Sequence, residues 1–304
     1  MSSVIEVKAP AKLNLFLHIT GRRDDGYHLL QSLFVPIALY DSLSFRQNSL
    51  GLVRRLSAID GIAEDDDLVV KAARLLKVHV SKPELGVDIE LHKVIPSGAG
   101  LGGGSSDAAS TLVALNDLWD LGLSIDELLP LALQLGADVP FFLDAEPAIV
   151  EGIGEHITQL SSGLSMRLNQ AHYVLFVPKL PIPTPSIFKD PSLKRDTGKL
   201  TLAELELAIA QAEQPWQYGH NDLEPVACAQ HPALEAMRQF LYDLGLQVRM
   251  SGAGSVFFAA YESQAAAKAV QQLVEVELRQ LANDSDNPLN SLQLRCLVAA
   301  SDSL

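Results

Sequence analysis

Two stretches of the chain alternate between apolar and other residues with a period of two. Across residues 12–19, Leu or Ile occupies every second position, and Lys12, Asn14 and His18 are among the residues between them. Residues 87–92 alternate in the same way. Successive side chains of a strand point to opposite faces, so both stretches are predicted to be β-strands with one apolar and one solvated face.

Other stretches carry apolar residues at steps of three and four, which predicts amphipathic helices. They are residues 68–76, 106–118, 125–135, 202–213, 222–244 and 263–281. Ser124 and Glu127 form a capping-box pattern, and Gly136 follows the end of that helix. Further strands are predicted at residues 173–177, around 248 and 257, and at 292–298. The order from residue 173 onward, β-α-α-β-β-α-β, is compatible with a ferredoxin-like domain that carries an additional helix.

Glycine dominates the stretch before the second predicted helix. Five of the seven residues from Gly98 to Gly104 are glycine, which can adopt positive φ and lets a backbone approach a ligand closely. Ser105 or Ser106 is predicted to cap the helix, whose N-terminal amides and dipole suit a phosphate group. The predicted phosphate-binding stretch consists of Pro96, Ser97, Gly98, Ala99, Gly100, Leu101, Gly102, Gly103, Gly104, Ser105 and Ser106.

Spacing argues against three other kinds of glycine loop. A Walker loop requires a lysine after its last glycine, where this chain has Ser105. A dinucleotide fingerprint should follow a fully buried parallel strand, whereas residues 87–92 alternate. A protein kinase needs H-R-D and D-F-G triplets, and neither occurs in the sequence. A glycine-rich surface turn is the remaining structural alternative.

Composition restricts the class of protein further. The 304 residues, 48% of them hydrophobic, are enough for two domains with their own cores. A formal net charge of −14 argues against nucleic-acid and anionic-membrane partners. Cys228 and Cys296 form neither a disulfide framework nor a zinc-site pattern, which favours a reducing compartment. The sequence shows no signal region and no apolar run of about 20 residues, so a cytoplasmic location without membrane association is expected.

Several polar positions have an ordinary structural interpretation beside a chemical one. From the residues alone, Lys12 and its neighbours belong to a solvated strand face. The acidic residues 64–67 precede a helix and are interpreted as caps rather than metal ligands. Asp138, between a helix end and an apolar segment, is equally well a turn former or a functional acid. The prolines of residues 181–191 argue against regular structure and fit a stiff linker, and residues 251–255 fit a tight hairpin.

The glycine-rich stretch, P-S-G-A-G-L-G-G-G-S-S-D-A-A, resembles the ATP-binding motif of the GHMP small-molecule kinases. This family is named for galactokinase, homoserine kinase, mevalonate kinase and phosphomevalonate kinase. Four further segments resemble one branch of it: A-P-A-K-L-N-L-F-L at 9–17, G-R-R-D-D-G-Y-H at 21–28, G-A-D-V-P-F at 136–141 and I-P-T-P-S-I-F at 182–188. That branch uses ATP to phosphorylate the 2-hydroxyl of cytidine diphosphate methylerythritol in the non-mevalonate isoprenoid precursor pathway.

The resemblance implies an α+β fold of two domains. Residues 1–165 would form an N-terminal domain similar to domain 2 of ribosomal protein S5, with the phosphate loop and the catalytic residues. Residues 166–304 would form a ferredoxin-like C-terminal domain. ATP is expected as the phosphoryl donor and Mg²⁺ with it, although the sequence offers no carboxylate cluster that would identify metal ligands. The oligomeric state is left open.

The resemblance also implies roles for individual residues. Asp138 would accept the hydroxyl proton, with Lys12 beside it. Asn14 would hydrogen-bond the acceptor, and Thr184 would line its pocket. The cytosine would be held by Tyr27, His28 and Phe188, with the two aromatic rings on its faces and the histidine at its edge. Ser251, Gly252 and Gly254 match a third glycine motif that lies beside the phosphates.

Two positions depart from the family pattern. Asp67 stands where many members have an asparagine that helps to hold the nucleotide base, and Ala253 replaces a hydroxyl residue. Two other functions remain open: a GHMP kinase for homoserine or a phosphorylated mevalonate, and a non-catalytic ATP-binding sensor. The G-Y-H element and the I-P-T-P-S-I-F segment argue against the first, and the presence of both Lys12 and Asp138 argues against the second.

Overall fold

The computed structural model describes residues 4–59, 61–282 and 287–302. The chain divides into two compact units that alternate along the sequence. The first comprises the described residues of Met1–Ala11, Leu39–Ile95 and Gly102–Ala145, and the second those of Lys12–Ala38, Pro96–Leu101 and Glu146–Leu304. The domain boundary expected between residues 165 and 166 remains a prediction.

The described residues contain ten strands and nine α-helices. The strands are Val4–Arg22 (β1), His28–Asn48 (β2), Val53–Arg55 (β3), Gly86–His92 (β4), Ala148–Gly152 (β5), His156–Gln159 (β6), His172–Val177 (β7), Arg249–Met250 (β8), Phe257–Tyr261 (β9) and Arg295–Ala300 (β10). The helices are Leu68–His79 (α1), Gly103–Leu118 (α2), Ile125–Leu135 (α3), Ser162–Leu168 (α4), Thr184–Lys189 (α5), Leu202–Gln211 (α6), Glu224–Gln230 (α7), Pro232–Asp243 (α8) and Gln264–Leu281 (α9). No helix in these described ranges has the length and apolar character needed to cross a membrane.

In the first unit, a small sheet accompanies three mutually contacting helices. Strand β4 pairs antiparallel with residues 42–48 of β2 and parallel with β3, and α1, α2 and α3 pack on one another. Val87, Ile89 and Leu91 are buried whereas Glu90 and His92 are exposed, so the predicted one-sided strand is confirmed. The capping box that Ser124 forms at the start of α3 is confirmed as well.

The second unit contains two antiparallel sets of strands. Residues 30–34 of β2 pair with β5, which pairs in turn with β6. The other sheet has the order β10-β7-β9-β8, and α9 packs against its three longer strands. With β7 as the first strand this is the order 4-1-3-2, so the ferredoxin-like expectation is confirmed. Large apolar side chains such as Phe176, Phe257 and Met237 fill the core beneath this sheet.

Three of the predicted elements are wrong in detail, each for a local reason. Helix α2 begins at Gly103 with Gly102 as its N-cap, so Ser105 and Ser106 lie inside the first turns and cap nothing. Residues 184–189 form a helix within the proline-rich segment, because its prolines occupy the N-cap and the first turn, where no amide donor is needed. The helix expected over 222–244 is divided between α7 and α8 at Pro232, whose nitrogen carries no proton to donate.

Candidate functional site

Strand β1 carries Lys12 and Asn14 along an edge that loops of the second unit complete. The backbone amide of Lys12 donates to the carbonyl of Leu101 at 2.9 Å, and that of Asn14 donates to the Oγ of Ser251 at 3.2 Å. Further along, Leu17 forms a parallel bridge with Asn221. These bonds satisfy backbone groups of β1 that β2 does not pair with, and they fix the register of Lys12 and Asn14.

The side chains of Lys12 and Asn14 are buried and joined to each other. Lys12 is 3% and Asn14 1% exposed, and the Lys12 Nζ donates to the Asn14 Oδ1 at 2.5 Å. The ammonium also lies 4.5 Å from the centre of the Phe34 ring, over the face that attracts a cation. The interpretation of this strand face as solvated is therefore wrong. A period of two cannot distinguish a polar face in water from one covered by other segments.

Ser32 on β2 orients the Asn14 amide. The Asn14 Nδ2 donates to the Ser32 Oγ at 3.0 Å, and the Ser32 hydroxyl donates to the carbonyl of Phe16 at 2.5 Å. Since the amide nitrogen is occupied by Ser32, the amide oxygen is left to face the Lys12 ammonium. Sequence reasoning missed Ser32, because a serine in a strand carries no distinctive signal.

The third glycine motif packs against the phosphate loop within the second unit. The Ser251 Oγ donates to the carbonyl of Gly100 at 2.9 Å. A Cβ atom on Gly100 would lie 2.1 Å from the Ser251 carbonyl oxygen, and Gly100 has a φ of 80°. Only glycine fits this approach between two backbone segments. The close approach to a ligand that the glycines predict is a separate contact and remains a prediction. The Asn221 Nδ2 donates to the carbonyls of Met250 and Gly252 at 2.7 and 2.8 Å, and so it holds the motif in place.

The turn before α2 uses three glycines with positive φ, Gly98, Gly100 and Gly102. Helix α2 then starts with two residues that have no side chain, Gly103 and Gly104. The first amides of a helix have no intrahelical acceptor, and here no Cβ atoms stand in front of them. The Ser106 Oγ is fully buried and has no hydrogen-bond partner among the described residues. Gly103 is constrained as well, because a Cβ there would lie 2.8 Å from the Ile95 Cγ2.

A buried ion cluster holds the side of α2 in the first unit. The Lys93 Nζ donates to the Asp107 Oδ2 at 2.6 Å and also contacts the Asp41 carboxylate. Asp41 accepts the backbone amides of Val94 and Ile95 through its other oxygen, at 2.5 and 2.8 Å. Burial raises the pKa of Asp107 to about 7, against the opposing effect of the Lys93 charge. The cluster ties the start of α2 to the segment that precedes the phosphate loop.

His28 and Phe188, both predicted to contact cytosine, lie together in the second unit. Their ring centres are 5.1 Å apart with the planes tilted by 39°. Arg195 joins them: its Nε donates to the His28 Nε2 at 3.0 Å, and its Nη2 donates to the Phe188 carbonyl at 3.2 Å. A guanidinium only donates, so the His28 Nε2 accepts and the neutral ring carries its proton on Nδ1. Burial and the nearby Arg195 charge lower the pKa of His28, which favours this neutral form.

The other predicted site residues are Tyr27, Thr184 and Asp138. Tyr27 is 61% exposed, and Thr184 is the exposed first residue of α5. Asp138 is half-buried in the turn between α3 and the 3-10 helix Pro140–Leu143 of the first unit. The other catalytic candidate, Lys12, belongs to the second unit.

Asp67 has the capping role predicted for the acidic residues before α1. Its Oδ1 accepts the backbone amide of Val69 at 2.9 Å, and its Oδ2 pairs with Arg55 at 2.6 Å. Both side chains are less than a tenth exposed. The carboxylate that replaces the family's asparagine is thus neutralised by a cation from β3.

Sequence and structure comparisons extend these observations to known proteins. The GHMP kinases N terminal domain matches residues 67–146, and the GHMP kinases C terminal domain matches residues 200–276. A 4-diphosphocytidyl-2-C-methyl-D-erythritol kinase of Bordetella parapertussis is 44% identical over 91% of this chain and 89% of its own length. One of Burkholderia cenocepacia is 46% identical over 86% and 87%. This chain belongs to the GHMP kinase family.

Solved structures agree with the family assignment. A crystal structure of 4-(cytidine 5'-diphospho)-2C-methyl-D-erythritol kinase superimposes with a TM-score of 0.75 at 33% identity, covering 98% of this chain and all of the other. A homoserine kinase from Cytophaga hutchinsonii has the same fold at 19% identity, with a TM-score of 0.69 over 99% and 95% of the two chains. As a GHMP kinase, the protein is an ATP-dependent small-molecule kinase with the α+β fold expected from its motifs.

Three residues that hydrogen-bond to predicted site residues were not predicted from the sequence. Ser32, Asn221 and Arg195 act on Asn14, the third glycine motif and His28, respectively. The sequence gives one indication of the role of Asn221. The triplet H-N-D at residues 220–222 precedes a helix start, and asparagine is common where a side chain must hydrogen-bond to a nearby backbone group. The sequence gives no such indication for Ser32 or Arg195, because their hydrogen-bond partners are distant along the chain.

Proposed function

We propose that this chain transfers the γ-phosphoryl group of ATP to the 2-hydroxyl of 4-diphosphocytidyl-2-C-methyl-D-erythritol. The observation that carries this proposal is the buried Lys12 ammonium, held by Asn14 on a strand edge whose amides are bonded to Leu101 and Ser251. A buried, oriented cation beside a glycine loop suits a reaction in which negative charge moves between oxygens. The names of the relatives supply the acceptor.

The phosphate loop and the N-terminus of α2 would hold the triphosphate. The open amides of the first helical turn and the dipole of a helix of 16 residues favour an anion at this point. Ser251, Gly252 and Gly254 would cover the phosphates from the third glycine motif, which supports the loop through the Gly100 carbonyl. We therefore propose the ATP role for Pro96 to Ser106.

Asp138 is proposed as the base. It would take the proton of the 2-hydroxyl as that oxygen forms its bond to the γ-phosphorus, while the bond from the γ-phosphorus to the bridging oxygen breaks and ADP leaves. Lys12 would neutralise the charge that develops on the attacking oxygen. Asn14 then acts mainly by orienting Lys12, since its amide oxygen is already bonded to the ammonium.

Recognition of the cytosine is proposed to involve His28, Phe188 and Tyr27. With its Nε2 occupied by Arg195, a neutral His28 presents an Nδ1 proton, which fits the acceptor edge of cytosine. Phe188 offers an apolar face for the flat base, and the exposed Tyr27 can close over the other face. Thr184 would contribute its hydroxyl at the start of α5.

Mg²⁺ is proposed to enter with ATP. The part of the chain that the structure describes contains no group of three His, Cys, Asp or Glu side chains arranged to hold a metal. The buried Ser106 hydroxyl, which lacks a protein partner there, fits the single oxygen ligand that a phosphate-bound Mg²⁺ would need. When bound, the ion would neutralise the phosphates. Since both cysteines are free and buried, we place the reaction in the cytoplasm.

The test is ATP turnover by the purified protein with the cytidine compound, beside homoserine, mevalonate and galactose. We expect phosphorylation of the cytidine compound alone, and a loss of at least about 10³-fold in kcat for Asp138→Asn with unchanged ATP binding. The matched control is Asp144→Asn, an acid at the end of the neighbouring 3-10 helix. Turnover of another acceptor would assign a different GHMP kinase, and ATP binding without any turnover would assign a sensor.

A further inference from the structure

A cavity of about 570 Å³ lies in the second unit beside the first part of the phosphate loop. Ser97 of that loop lines one side, and Ser255, which follows the third glycine motif, lines another. Lys179 and Arg295, from the segments after β7 and at the start of β10, also line it. The proposed acceptor residues Lys12, His28 and Phe188 are not part of its wall, so the cavity is separate from that site.

The two cations of this cavity lack acidic partners among the residues that the structure describes. Across residues 4–59, 61–282 and 287–302, neither Lys179 nor Arg295 forms an ion pair. Such pairs are abundant elsewhere, for example between Arg54 and Asp88, as expected for a chain with a net charge of −14. Two neighbouring positive charges on one cavity repel each other, and a bound anion would relieve that repulsion.

Hydroxyl groups supplement the cations. Ser255 is 1% exposed, and its Oγ has no hydrogen-bond partner among the described residues. A buried hydroxyl without a partner costs free energy, which a ligand acceptor would recover. Ser97 adds an exposed hydroxyl to the lining. Hydroxyls and cations together are the donors that bind phosphate oxygens in proteins.

Apart from Gln293, the rest of the wall is apolar. Val177, Pro178, Leu180 and Pro181 line the cavity, and the first two are buried. The backbone amide of Lys179 donates to the Leu292 carbonyl at 2.6 Å, which fixes this segment against the chain before β10. The volume is that of a small-molecule site and exceeds what one inorganic phosphate ion fills.

We propose that this cavity binds a small phosphorylated organic molecule, with its phosphate group on Lys179, Arg295 and Ser255 and its carbon part on the apolar wall. Such a ligand would rest against the phosphate loop without occupying the acceptor site. The proposal does not depend on which acceptor the kinase uses.

Isothermal titration of the full chain, saturated with Mg²⁺ and a non-hydrolysable ATP analogue, tests this. The probes are inorganic phosphate and glycerol 3-phosphate. We expect one glycerol 3-phosphate per chain, bound more tightly than inorganic phosphate because only the ester reaches the apolar wall. Lys179→Gln and Arg295→Gln should each weaken it by about tenfold or more, and Ser255→Ala by a smaller factor.

The control is Lys268→Gln, which removes the same charge from an exposed position on α9. It should leave the affinity within about twofold. Lys179 and Arg295 are exposed, so their variants should keep the unfolding midpoint of the parent, which is measured in parallel. Absence of binding, equal affinity for the two probes, equal loss in the control, or displacement by the ATP analogue would each overturn the proposal.

Discussion

Ser32→Ala tests whether the orientation of Asn14 matters for the reaction. The substitution removes two hydrogen bonds, from the Asn14 Nδ2 at 3.0 Å and to the Phe16 carbonyl at 2.5 Å. It leaves a buried amide nitrogen without its acceptor, which costs about 1–3 kcal/mol of unfolding free energy. It also lets the amide rotate, and a rotated amide would turn its nitrogen toward the Lys12 ammonium.

The expected kinetic effect follows from that rotation. If the Ser32 bond favours the correct amide orientation by about 1.4–2.8 kcal/mol, its loss lowers kcat by about 10- to 100-fold. The KM for ATP should change little, since the hydrogen bonds of Ser32 join it to Asn14 and Phe16. Steady-state kinetics with both substrates and urea unfolding curves measure the two effects separately.

Two variants make the test specific. Ser32→Thr keeps the hydroxyl and should retain kcat within a few fold. Ser42→Ala removes a serine from an exposed position on the same strand and should change neither quantity. A Ser32→Ala enzyme that loses stability but keeps kcat within twofold of the parent would refute the orienting role and leave Ser32 as a structural residue.

Gly100→Ala should lower the free energy of unfolding by several kcal/mol in urea titrations, because its Cβ would collide with the Ser251 backbone. The control is Gly61→Ala, since Gly61 also has positive φ but a Cβ there would have nothing within 4 Å. This variant should lose only about 1 kcal/mol. Burial lowers the pKa of His18 to about 4, so the folded state disfavours protonation of this ring. The free energy of unfolding should therefore fall as the pH drops from 6.5 toward 4. A His18→Gln variant that lacks this part of the decline would confirm the cause. Arg195→Gln should raise the KM for the cytidine compound by about tenfold, because it frees the His28 ring, and should change the KM for ATP little. Equal effects on both KM values would contradict the role of Arg195 in orienting His28.

Sequence reasoning succeeded where the determining interactions are local. The capping box at Ser124 and the cap at Asp67 depend on neighbours within three residues, and both form. The alternation at residues 87–92 also gave the correct buried face. The order of the last seven elements was sufficient for the ferredoxin-like topology, because few arrangements of that order satisfy short connections.

Sequence reasoning failed where a second local feature outweighed the preference on which the prediction was based. Serine is favoured as a helix cap, yet α2 starts at Gly103, since Gly102 in the left-handed region already turns the chain into the helix. Proline-rich residues 181–191 nevertheless contain α5, because the positions of the prolines matter more than their number.

The amino-acid sequence was sufficient to predict the glycine-rich turn before α2, the strand that carries Lys12 and Asn14, and the family to which these motifs point. Those features rest on spacing within short segments. The folded chain was needed to see that this strand face is buried, that Ser32 orients Asn14, and that Arg195 sets the proton position of His28. Each of these depends on residues that folding brings together from distant parts of the chain, and periodicity within one segment carries no information about them.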